Sequence, residues 1–119
     1  MRDFRIIETD EIKEKYYPII AFFNAIPDTA YIRTIGDIAK GVGSSFNDVH
    51  CEFPEDLDSE EEIFDGIRFA LINEEIVVNY KILFYFLRKA SETYAEDNPQ
   101  DKIKVDYILE ELSNKYEII

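Results

Sequence analysis

The stretch Gly66-Ile-Arg-Phe-Ala-Leu-Ile-Asn-Glu-Glu-Ile-Val-Val-Asn-Tyr80 decides the fold. Ile67 to Ile72 is rich in β-branched and aromatic side chains, Asn73 to Glu75 has the residues of a tight turn, and Ile76 to Tyr80 is a second run of the first kind. Two such runs around a short polar break predict a β-hairpin. Just upstream, Val49, Cys51 and Phe53 alternate with polar residues and stop at Pro54, which predicts a short edge strand. Downstream, Ile82, Leu83, Phe86, Leu87, Ala90 and Tyr94 recur at helical spacing between Lys81 and about Asp97, while Glu92 and Glu96 fall on the other side. Asn98 as a cap and Pro99 in the first turn open a last helix, with Ile103, Tyr107, Ile108, Leu112 and Tyr116 expected to face inward. The two helices are expected to pack antiparallel across one face of the sheet.

Further out, Tyr17, Ile20, Phe23, Ala25 and Ile26 fall mostly at helical spacing, with Pro18 suited to a first turn and Pro27 closing the segment. Asp28 is a candidate cap for a second helix carrying Tyr31, Ile32, Ile35, Ile38 and Ala39, which Gly41 ends in a left-handed conformation. Gly41 to Ser45 reads as a flexible connection. The fold class is therefore α+β, a small antiparallel sheet of one hairpin and a short edge strand packed against about four α-helices. No repeat, linker or composition break divides the 119 residues, so they are assigned to a single domain, 1–119, with 1–15 an N-terminal extension of no assigned structure.

Apolar residues make up 46% of the chain and aromatics 14%, too much buryable surface for a disordered segment. Acidic residues outnumber basic ones 26 to 13, and the formal net charge is −13. That balance argues against nucleic acid and anionic membrane surfaces as direct partners and favours a basic protein, although solubility alone also explains an acidic chain. Cys51 is the only cysteine, which excludes an intramolecular disulfide and fits a reducing cytoplasm. Met1 to Asp10 lacks the apolar core of a signal peptide, and no stretch approaches the roughly 20 apolar residues of a membrane span.

Catalytic chemistry finds little support. His50 and Cys51 are adjacent on a predicted strand and so point to opposite faces, poorly placed to share a proton. Asp56, Asp58 and Glu60 start like a calcium loop, but Glu61 stands where the turn needs glycine and Ile67 where a bidentate carboxylate is needed. Gly41 and Gly43 do not sit between a strand and a helix as a phosphate loop requires. No catalytic residue, metal site or cofactor is therefore assigned.

The informative charge lies between Lys40 and Arg68, which enclose no other Lys or Arg: Asp48, Glu52, Glu55, Asp56, Asp58, Glu60, Glu61, Glu62 and Asp65. Two unit charges about 6 Å apart in water repel by about 0.7 kcal/mol, so concentrating them costs stability. A solvated loop is one reading. The other is imitation of a polyanion, with carboxylates occupying the Lys, Arg and His cluster that a ribonuclease gathers around phosphate. Exposed ion pairs give about 0.2–1 kcal/mol each against the roughly 12 kcal/mol of nanomolar affinity, so an apolar anchor must be interleaved. Leu57 is the candidate anchor, while Phe53 and Phe64 suit pinning the run to the core.

The run Cys51-Glu-Phe-Pro-Glu-Asp-Leu-Asp-Ser-Glu-Glu-Glu-Ile-Phe-Asp-Gly-Ile-Arg-Phe69 and the following Glu75-Ile-Val-Val-Asn-Tyr80 resemble the ribonuclease toxin immunity proteins of bacterial contact-dependent growth inhibition (CDI) systems. Tyr17-Pro-Ile-Ile-Ala-Phe-Phe-Asn-Ala-Ile-Pro27 and Pro99-Gln-Asp-Lys102 are similar too, and the likeness runs from about Tyr16 to Leu112. Arg2 to Lys15 has no counterpart in it. The resemblance implies a cytoplasmic, non-enzymatic protein in a 1:1 protective complex with the basic nuclease domain at the C-terminus of a large toxin. Under it, Glu52, Glu55, Asp56, Leu57, Asp58, Glu60, Glu61, Glu62 and Asp65 are the expected toxin-binding residues. The alternative is an acidic adaptor for another basic protein.

Overall fold

The computed structural model describes residues 5–6, 8–54 and 66–117. Four short strands, β1 (Ser44–Phe46), β2 (Val49–Glu52), β3 (Ile67–Ala70) and β4 (Glu75–Val78), form one antiparallel sheet in the order β1-β2-β3-β4. Around it lie α1 (Asp10–Lys15), α2 (Tyr17–Ala25), α3 (Tyr31–Ala39), α4 (Tyr80–Asp97) and α5 (Lys102–Lys115). The α+β class is as expected, with one strand and one helix more.

The extra strand corrects the reading of β2 as an edge. Ser44, Ser45 and Phe46 pair with Cys51, His50 and Val49, so β2 is interior and β1 takes the edge. The two-residue turn between them places Asn47 at φ 55°, a left-handed conformation that asparagine tolerates better than most residues. The hairpin also closes earlier than expected. Ala70 pairs with Glu75, which leaves Leu71 to Glu74 as the loop, held by a 2.7 Å bond from the Leu71 N–H to the Glu74 carbonyl. At the far end of β4, Asn79 leaves the strand and caps α4, its side-chain oxygen accepting from the Ile82 N–H at 2.9 Å.

Side chains alternate across the sheet as its pleat demands: Cys51, Phe69 and Ile76 lie side by side on the inner face, as do Ile67 and Val78. The helix that covers this face is α2, not the α4–α5 pair. Phe22 of α2 meets Phe23, Phe46 and Phe69 with ring centroids 5.4–5.9 Å apart, an aromatic cluster that locks helix to sheet. α4 packs on α2, and α5 packs on α3 and α4. A helix as apolar as α2, with five buried residues in nine, needs partners on both sides, which is why it takes the middle position.

Two expected caps act elsewhere. The Asp28 carboxylate accepts from Arg5 at 2.6 Å, and Asp28–Ala30 forms a 3₁₀ turn before α3. The Asn98 amide donates to the Tyr94 carbonyl at 3.1 Å, while Pro99–Asp101 forms a second 3₁₀ turn before α5. Gly41 does end α3 with φ 82°. On α5, Val105 and Leu112 face inward with Ile108 and Tyr116 beside them, whereas Ile103 and Tyr107 project into solvent, contrary to expectation.

Residues ahead of α1 reach the core as well. Ile6 is buried, and the Asn24 side-chain oxygen accepts from the backbone N–H groups of Arg5 and Ile6 at 2.8 and 2.9 Å. Glu8 accepts from Lys89 on α4 and from the Tyr85 hydroxyl.

Candidate functional site

The acidic run hangs from the middle of the sheet. β2 ends at Glu52 and β3 begins at Ile67, and these two strands are hydrogen-bonded neighbours, so the segment between them leaves and rejoins the same end of the sheet. Glu55, Asp56, Leu57, Asp58, Glu60, Glu61, Glu62 and Asp65 lie outside the described residues, as does Phe64. Phe53 is fully buried, so the first turn of chain beyond β2 is pinned to the core as expected.

Glu52 is the one predicted contact residue that can be placed. It sits on the outer sheet face opposite Arg68, whose Nε and Nη2 donate to the two carboxylate oxygens at 3.2 and 3.1 Å. This bidentate cross-strand pair balances the Glu52 charge within the chain. Asp48 separates from the rest of the run. It lies in the β1–β2 turn, at the opposite end of β2 from Glu52, about 13 Å away at the usual rise per strand residue.

His50 and Cys51 diverge as strand geometry requires. The His50 ring nitrogen Nδ1 and the Ser45 hydroxyl are 2.7 Å apart on the outer face, while Cys51 is buried in the core. Among the described residues no group of three or more His, Cys, Asp or Glu is arranged to hold a metal ion. The depressions there are surface clefts. One of about 340 Å³ is lined by Asp10, Lys13, Glu14, Tyr17 and Glu74, and another of about 390 Å³ runs between α4 and α5.

The titrating groups moved from their ordinary values serve the fold. Burial pushes the Tyr31 hydroxyl well up, against the lowering influence of its bond to Ser91 and of the Arg5 charge. Burial and then the bond to Asp101 push Tyr94 up to about 12. The Glu8 carboxylate raises Lys89.

Sequence reasoning missed the outer crest of α5. Ile103 and Tyr107, 84% and 67% exposed, stand one turn apart, followed by Glu110 and Glu111. The available signal was the helical phase of Val105, Ile108 and Leu112, which puts position 103 on the opposite side at 100° per residue.

A four-stranded antiparallel sheet with an acidic connection between its middle strands, packed against five helices, defines a class: a small acidic α+β protein. Residues 11–109 match the family model described as CDI immunity protein, and the chain belongs to that family. Its function is thus immunity toward a CDI toxin. A search of curated proteins finds no match to the chain. No helix among the described residues is long and apolar enough to cross a membrane.

Proposed function

We propose that this protein neutralises a ribonuclease toxin domain, in the cytoplasm and as a 1:1 complex, by laying its acidic surface over the basic active site. The observation that carries the reading is the run from Glu52 to Asp65, eight carboxylates with no Lys or Arg among them, in a chain of the CDI immunity protein family. An RNA-cleaving site must hold cations around a phosphate, and carboxylates at comparable spacing compete with RNA for them. Glu55, Asp56, Asp58, Glu60, Glu61, Glu62 and Asp65 are the proposed ligands of those cations. Glu52 adds to them from the sheet edge of the run, although Arg68 already offsets its charge. Leu57 is the proposed apolar anchor within the run. The protein itself supplies no catalysis and no cofactor.

Titrating RNA cleavage by the co-encoded toxin domain with purified protein tests the proposal. Loss of cleavage at one equivalent is expected. A stable complex that still cleaves RNA at full rate overturns active-site coverage, and the absence of RNA cleavage by the toxin alone overturns the ribonuclease reading.

A further inference from the structure

We propose that the outer crest of α5, formed by Ile103, Tyr107, Glu110 and Glu111, is a second docking surface for the toxin domain, an apolar anchor placed beside two carboxylates.

Ile103 and Tyr107 are among the most exposed large apolar side chains of the described residues, and the i, i+4 spacing puts both on one line of the helix. The same chain buries Val105 and Leu112 from the opposite side of α5, so the helix has apolar side chains both toward and away from the core. The charges around the crest fix the chemistry of its occupant. Lys102 is paired with Asp106 at 2.7 Å and Lys104 with Asp101 at 3.9 Å, while Lys115 lies over the Tyr116 ring. Glu110 and Glu111, three and four residues beyond Tyr107, have no basic partner among the described residues. The uncompensated charge beside the apolar pair is therefore negative.

A second copy of this chain is a poor occupant, since each copy carries a formal net charge of −13 and would bring like charge to the crest. The complementary partner is a basic protein surface with an apolar socket next to a Lys or Arg. A basic nuclease domain meets the charge requirement of that partner, and on this point the inference rests on the proposed function. Tyr116, at the end of α5, stacks on Tyr80 with ring centroids 3.7 Å apart, and Tyr80 follows the strand end beside which the acidic run rejoins the sheet. Tyr107 lies about 14 Å along the helix from Tyr116 at 1.5 Å per residue and, at 100° per residue, on the opposite side of it, so the crest is a patch distinct from the end of the sheet where the acidic run rejoins.

The test is the equilibrium and kinetic affinity of the full-length protein for the co-encoded toxin domain, wild type against the Ile103→Ser/Tyr107→Ala double substitution. Far-UV circular dichroism and sedimentation accompany both. The double substitution is expected to weaken binding about 30-fold or more, chiefly through faster dissociation, with helicity and melting temperature kept because both side chains are exposed. Tyr107→Phe alone, with Ile103 kept, is expected to bind nearly as well as wild type. Wild type that forms no complex with the domain overturns the proposed neutralisation by binding and this inference with it. A wild-type complex whose affinity ignores both substitutions overturns the α5 anchor alone. Dimers that dissociate on substitution, with toxin affinity unchanged, assign the crest to a second copy and overturn it too.

Discussion

Tyr31 and Tyr94 stack with ring centroids 4.4 Å apart, and the Arg5 guanidinium lies over Tyr31 at 4.5 Å. The Tyr31 hydroxyl meets Ser91 at 2.9 Å, and Tyr94 donates to Asp101 at 2.6 Å, so each buried phenol has its polar end satisfied. Because burial raises both hydroxyls, the unfolded chain loses these protons from about pH 10 upward while the folded chain keeps them. The unfolded state then binds fewer protons, and stability falls with rising pH; below the ordinary tyrosine value the contribution is whole. The raised Lys89 acts in the same direction. Urea midpoints are expected to drop between about pH 10 and 12, and a Tyr31→Phe/Tyr94→Phe protein should show a shallower drop, at a cost of about 1 kcal/mol per lost hydrogen bond at neutral pH. An equally steep drop in that variant would place the sensitivity elsewhere. Arg5 offers a second residue-scale test. Its guanidinium donates to the Phe23 carbonyl at 2.7 Å and to Asp28, and it is nearly buried. Arg5→Ala is expected to cost about 1–3 kcal/mol in urea unfolding, because it removes the donor to the Phe23 carbonyl and the charge partner of Asp28, which keeps only the Asn98 amide and solvent. Arg5 precedes the family-matched residues 11–109, so this clamp is a feature of the chain beyond the family match.

Elements were legible wherever their apolar side chains carried a period. β3, β4, α2 and α4 fall close to their expected places for that reason. β1 was not legible because Ser44 and Ser45 carry no apolar signal and its pairing depends on β2, a tertiary partner that local pattern does not display. α5 was placed correctly but phased wrongly: its five expected inward residues include two, Ile103 and Tyr107, that the phase of Val105 and Leu112 excludes. The acidic run was legible as charge, whereas the crest of α5 was hidden by the habit of assigning apolar residues to the core. Two glycines test how elements meet. Gly66 has φ 115°, and a Cβ there would lie 2.4 Å from the Val78 carbonyl oxygen, in backbone of the neighbouring strand. Gly66→Ala is expected to destabilise by about 3 kcal/mol or more, from strain and steric conflict together. Gly36, inside α3, would give its Cβ an ordinary 4.0 Å contact with Ile108 of α5. Gly36→Ala is expected to stabilise by about 0.5–1 kcal/mol. Thermal melts of the two proteins should move in opposite directions, and a common direction would refute the assignment of these glycines to different physical roles.

At the scale of the whole molecule, charge and apolar contact act on different halves of the binding reaction. A net charge of −13 creates a long-range field, and a field accelerates encounter with a basic partner far more than it holds the complex together. Exposed apolar side chains act only on contact, and their loss appears in dissociation. The two surfaces proposed for this chain should therefore separate kinetically. Replacing Glu60, Glu61 and Glu62 with Lys changes the charge by six units, and at low ionic strength the association rate should fall by about tenfold or more while dissociation changes less. Raising salt to the physiological range, where the Debye length is about 8 Å, should bring the two association rates together. Ile103→Ser/Tyr107→Ala should leave association and its salt dependence nearly intact and speed dissociation. Combining the two sets should give additive free energies, because a steering effect and a contact effect share no groups. Strong coupling between them would mean that the acidic run and the α5 crest engage one point on the toxin, and association that ignores both salt and the triple substitution would leave the acidic run without a role in recognition.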